Sequence, residues 1–133
     1  MIKTSKLKEM INIKSFNTLK KAYTQGDLPQ PVRLSSHSIA WENEEIKTWI
    51  LSRPKVKGYP KLSFNIPEIH EETPLKLLSL KDVLKITTKN SPTTIYTWMQ
   101  KGDFPAPVQI LDRKVGWLMH ELEAWVTWRK KHI

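Results

Sequence analysis

Residues 91–117 read Ser91-Pro92-Thr93-Thr94-Ile95-Tyr96-Thr97-Trp98-Met99-Gln100-Lys101-Gly102-Asp103-Phe104-Pro105-Ala106-Pro107-Val108-Gln109-Ile110-Leu111-Asp112-Arg113-Lys114-Val115-Gly116-Trp117. Ser91 suits an N-cap, and Pro92 suits the first helical position, where its missing N–H costs nothing. Gly102 stands where a left-handed C-cap stops a helix of about three turns. Ile95, Trp98 and Met99 share one face at i, i+3, i+4, which leaves Thr93, Thr94, Tyr96, Thr97, Gln100 and Lys101 on the others. Pro105-Ala106-Pro107 forces an extended segment. Val108 to Ile110 and Lys114 to Trp117 then read as two short strands around a charged turn, a β-hairpin.

Working outward, a shift of 76 residues lays the first third of the chain over the last without a gap. Ser15 falls on Ser91, Gly26 on Gly102, Pro29 and Pro31 on Pro105 and Pro107, Trp41 on Trp117, Glu45 on Glu121, Trp49 on Trp125 and Arg53 on Arg129. The chain is therefore a tandem of two similar modules. In the first, Leu7, Met10 and Ile11 predict the apolar face of a first helix, and Leu19, Ala22 and Tyr23 that of a second capped by Ser15. A hairpin follows, over Val32–Leu34 and Ser38–Trp41, with a turn over Ser35 to His37. Asn43 is expected to cap a third helix with Ile46, Trp49 and Ile50 inside. The second module repeats this plan, and Ser79-Leu80-Lys81-Asp82 adds a capping-box start that the first lacks, because Lys3 holds the Ser79 position. The repeat also places Trp41, Trp117, Trp49 and Trp125 in cores. Trp128 has Ser52 as its counterpart, and a contact between modules is expected of it.

The expected boundaries are a first module at 1–57, a Pro-containing linker at 58–76 and a second module at 77–133. Within the linker, Leu62, Phe64 and Ile66 alternate with polar residues, which predicts a strand lying on one module; full flexibility is the competing expectation. Modules of about 55 residues lie near the lower limit for an independent core, so mutual support between them, or from the linker, is expected.

The 22 Lys and Arg against 13 Asp and Glu give a net charge of +9. By segment the first module carries +6 (11 basic, 5 acidic), the linker −1 (2 and 3) and the second module +4 (9 and 5). Both modules have the electrostatic footprint of a polyanion binder. Cysteine is absent, which removes disulfides and thiolate metal sites and fits a reducing compartment. The four histidines, His37, His70, His120 and His132, have no ligand-like spacing, and the four glycines form no phosphate loop. No nucleophile and base converge in sequence, so neither a cofactor nor an enzyme is expected. With no apolar run for a membrane span or signal peptide, a cytoplasmic location is the expectation.

The helix from Ser91, the Gly102-Asp103-Phe104-Pro105-Ala106-Pro107 turn and the Arg113-Lys114-Val115-Gly116-Trp117 hairpin resemble, from about Leu77 to Arg129, the AlpA-type branch of the MerR-like winged helix-turn-helix proteins. The resemblance implies an α+β, mainly helical fold of two tandem winged helix-turn-helix modules, each with about three helices and a hairpin wing. It implies a sequence-specific double-stranded DNA-binding protein of a prophage or other mobile element, either a transcriptional regulator or an excisionase-type directionality factor. An integrase or RNA polymerase is the protein partner so implied, with the monomer acting as a pseudo-dimer or a homo-oligomer assembling on DNA.

Candidate DNA contacts in the second module are Thr93, Thr94, Tyr96, Thr97, Gln100 and Lys101 on the helix and Arg113 and Lys114 on the wing. In the first they are Asn17, Thr18, Lys20, Lys21, Thr24, Arg33 and His37. There Lys20 replaces the family's Tyr and His37 the wing Arg, a departure that leaves two expectations for the first module, sequence reading or phosphate contact alone. The alternative expectation is a protein-interaction adaptor or inhibitor, or a single-strand or replication accessory protein, on the same scaffold.

Overall fold

The computed structural model describes residues 1–89, 91–111 and 113–132. Asp112, in the expected wing turn, lies outside the described residues. The first unit runs β1 (Ile2–Lys3), α1 (Thr4–Ile11), α2 (Phe16–Gln25), β2 (Val32–Ser35), β3 (Ser38–Trp41) and α3 (Asn43–Leu51). The second runs β4 (Leu77–Leu78), α4 (Leu80–Thr87), α5 (Pro92–Gln100), β5 (Val108–Gln109), β6 (Val115–Leu118) and α6 (Met119–Lys131). Each unit thus has three helices and a small antiparallel sheet, ordered β1-β3-β2 in the first and β4-β6-β5 in the second. The two-residue strands β1 and β4, too short for any sequence period, add a third strand to each expected hairpin. No helix among the described residues is long and apolar enough to cross a membrane.

The repeat extends to individual hydrogen bonds. The Trp41 indole Nε1 donates to the Pro29 carbonyl at 2.9 Å, and Trp117 Nε1 donates to Pro105 at 3.0 Å. Each buried Trp therefore satisfies its one donor while holding the proline turn that leads into the hairpin. The left-handed helix stops repeat too, at Asn12 and Thr88 after the first helices and at Gly26 and Gly102 after the second. Ser79 accepts from the Asp82 N–H at 3.2 Å while the Asp82 carboxylate accepts from the Ser79 N–H at 3.1 Å, completing the capping box. Two caps differ from expectation. Ser15 stands at the N-cap of α2 without a side-chain bond, and α3 begins one residue early, with Glu42 as N-cap and Asn43 already helical.

The second correction concerns the linker. Residues 58–76 form no strand; Pro60, Pro67 and Pro74 have no N–H to donate to a ladder. The strand-like pairing falls just before it, where Val56 N donates to Pro107 O at 2.9 Å and Gln109 N to Pro54 O at 2.9 Å. Linker side chains nevertheless fill a core. Phe64 is buried and Tyr59, Leu62 and Ile66 pack with it against Val83, Ile95, Met99, Trp117 and Trp125. Trp128 stacks on Phe64, centroids 4.8 Å apart, so it serves the linker and not the expected contact between modules.

The first unit does not close its own core. Leu7, Ile11, Leu19, Trp41 and Ile50 share one buried cluster with Leu75, Leu77, Ile110, Leu111 and Leu118. The Lys55 ammonium pairs across the same seam with the Glu121 carboxylate, and Lys55 Nζ also donates to Ala106 O at 2.9 Å. Two units this small reach a sufficient core by sharing one.

Candidate nucleic-acid interface

The α5 helix is seated by its inner face. Ile95 and Met99 are fully buried, and Trp98 lies against Phe104 and Trp125 with centroids 6.0 and 5.5 Å away. Ser91 Oγ accepts from Thr93 N at 3.3 Å, and Pro92 follows at the first helical position. The face left over carries Thr93, Tyr96, Thr97, Gln100 and Lys101, all exposed, with Thr94 half-buried. The Thr97 hydroxyl donates to Thr93 O at 2.9 Å, so only its lone pairs remain for a ligand, whereas Tyr96 presents a 39 % exposed aromatic ring.

At its far end α5 is held by the linker. Ser63 N donates to Gly102 O at 2.8 Å, and the Ser63 hydroxyl bonds the Asp103 carboxylate at 2.9 Å. Gly102 has φ +76°, and a Cβ there would lie 2.6 Å from Lys61 O. Both the left-handed turn and the close approach of the linker demand glycine.

The β5–β6 hairpin closes through Lys114 N to Leu111 O at 2.8 Å and Ile110 N to Lys114 O at 2.8 Å. Arg113 has φ +65°, a left-handed conformation uncommon for a non-glycine residue. Arg113 and Lys114 are both exposed at this tip. Its base is anchored. Ile110 and Leu111 are buried, and Leu111 shares a buried cluster with Leu19 and Ala22 of α2 and lines a small cavity with Thr18, Lys21, Ala22, Gln25 and Asp27.

The α2 helix therefore has a hairpin on each side. Its Thr18, Lys21 and Gln25 flank meets the Leu111 turn, while Phe16, Lys20 and Tyr23 line a groove shared with Arg33, His37 and Ile39 of its own hairpin. Lys3, Thr4, Ser5, Ser36 and Ser38 complete that groove, and among the described residues no carboxylate lines it. Arg33 donates to Ser36 O at 3.2 Å, which holds it along the turn. Asn17 and Thr24 are exposed on the same helix. Lys3 and the 39 % exposed Phe16 join the groove without having been singled out in sequence, since Lys3 arrives there only through the pairing of β1 with β3.

Among the described residues the ion pairs are Lys47–Glu44, Lys55–Glu121 and Lys76–Glu9. Lys20, Lys21, Arg33, Lys101, Arg113 and Lys114 take part in none of these pairs. The other titratable cluster lies elsewhere. His120 has a buried Nδ1 with no hydrogen-bond partner among the described residues, and desolvation pushes its pKa below the ordinary value, with Lys55 adding to the effect and Glu121 and Glu123 opposing it. No group of three or more His, Asp and Glu among the described residues converges as metal ligands.

A family model described as prophage CP4-57 regulatory protein (AlpA) matches the chain twice, over residues 6–54 and 76–130. No curated protein and no solved structure matches the chain. The two matched segments fall on the two repeated units and together span well over half of the sequence. The chain accordingly belongs to the AlpA family of prophage regulatory proteins, as two tandem copies of the family unit.

Proposed function

We propose that this protein is a sequence-specific double-stranded DNA-binding regulator of a prophage or related element, built from two winged helix-turn-helix modules. The observation that carries the reading is the α5 face with its adjoining hairpin. Tyr96, Gln100 and Lys101 are exposed on a helix seated by its inner face, Arg113 and Lys114 are exposed at the hairpin tip, and no cation among them is engaged by a described carboxylate. A short helix with amide, hydroxyl and cationic groups suits base edges in a major groove, and a cationic hairpin tip suits the adjoining backbone or minor groove. The left-handed backbone at Arg113 supports the same reading, because sparsely populated conformations cluster at functional sites. In the first module, Lys20, Arg33 and His37 line a groove that among the described residues has no carboxylate and that fits phosphate.

The regulatory outcome is either control of transcription or direction of an integrase at an attachment site, with RNA polymerase or the integrase as protein partner. The adaptor reading loses one of its motives, since Trp128 is stacked on Phe64 and not held out for a partner. Selection of bound duplexes from a random pool at about 150 mM salt tests the proposal. Discrimination of roughly a thousandfold between the selected duplex and a scrambled one is expected. Absence of enrichment overturns it.

A further inference from the structure

The packing of the two modules constrains the arrangement of any site they read together, an inference that rests on the DNA-binding reading above. Two modules related by a two-fold axis make each contact twice, with residue roles exchanged. Here the repeat supplies counterparts for Lys55, Glu121, Pro54, Gln109 and Leu111 at the seam, and among the described residues their exchanged contacts are absent. Lys55 pairs with Glu121, yet their counterparts Lys131 and Glu45 form no ion pair among the described residues, and Glu45 is exposed. Gln109 N bonds Pro54 O, but the counterpart of Pro54 is Lys130, inside α6. Leu111 is buried on α2, whereas its counterpart Ser35 is exposed. The seam is heterologous, head to tail.

Half-sites on a duplex that are equivalent for one binding module are related either by a two-fold axis, as in a palindrome, or by translation and rotation along the helix, as in a direct repeat. A head-to-tail protein matches only the second. We infer that the chain reads two half-sites in the same orientation, at a spacing set by the shared core and not by linker length. The contacts also order the elements. The repeat places the second hairpin beside α5 as the first lies beside α2, and Leu111 ties the second hairpin to α2. Across the face the order is then α5, second hairpin, α2, first hairpin, with the second hairpin tip central and the first at an outer edge.

The absence of cysteine makes the test direct. Ser38→Cys and Lys114→Cys, at repeat-related positions on the two hairpins, are each charged with a DNA-cleaving iron chelate on the selected duplex. The expected result is one cleavage centre from Lys114→Cys near the middle of the footprint and one from Ser38→Cys at its edge. Both central, both at edges, or a footprint covering a single half-site overturns the inference. A second measurement uses the unaltered protein, since Lys114 is itself a proposed contact. Five added base pairs between the half-sites, about half a helical turn, are expected to weaken binding at least about tenfold; unchanged affinity overturns the fixed spacing. Equal binding to scrambled duplexes throughout would instead sink the DNA-reading proposal itself.

Discussion

At the scale of single residues the molecule separates aromatic side chains that build it from those it offers outward. Trp117 is fully buried with its indole donor satisfied by Pro105, so Trp117→Ala leaves a cavity and frees the proline turn. A loss of about 3–5 kcal/mol is expected, read by denaturant unfolding followed by tryptophan fluorescence. Tyr96 and Arg113 are exposed, and Tyr96→Ala or Arg113→Ala should leave the unfolding midpoint nearly unchanged while weakening duplex binding about tenfold or more. Unaltered affinity in both would show that the second module is not the reader. The division was visible in sequence because the repeat pairs Trp41 with Trp117 and Trp49 with Trp125, whereas Tyr96 stands opposite a lysine. Trp128 escaped it, since its partner Phe64 lies 64 residues away in a segment with no counterpart.

At the scale of elements, local chemistry explains the second module better than the first. The α4 helix begins with a complete capping box, and α1 begins at Lys3 with no side-chain cap. Ser79→Ala removes one reciprocal bond and is expected to cost about 1 kcal/mol, measured by equilibrium unfolding; a change near zero would mean that β4 pairing alone fixes the start of α4. The helix faces and hairpins were legible because their periods are local. The short strands β1 and β4 were not, because two residues carry no period and their pairing with β3 and β6 depends on distant chain. The alternating Leu62, Phe64 and Ile66 misled for a related reason: alternation reports burial on one side, and here an irregular extended segment meets that need without a ladder.

At the scale of the whole molecule the two units are one body. Leu75, Leu77, Ile110, Leu111 and Leu118 complete the core around Leu7, Leu19 and Trp41, so a fragment of residues 1–57 is expected to be unfolded. Its circular dichroism spectrum and amide exchange check this; a cooperative unfolding transition in the fragment would contradict it. The sequence by itself determined the repeat, the limits of α2 and α5, the start of α4 and the hairpin strands to within a residue or two, the buried tryptophans and the cationic character of both modules. Each of these is written in local spacing or in a 76-residue self-comparison. Only the tertiary structure decided that the first module borrows its core from the second, that the linker packs as irregular chain, that α2 lies between two hairpins and that the seam is head to tail. Those features arise from contacts such as Lys55 with Glu121 and Leu111 with Ala22, between residues 66 and 89 positions apart. Burial and charge patterns show that such residues need partners, but a periodic pattern carries no information on which partner the folded chain supplies.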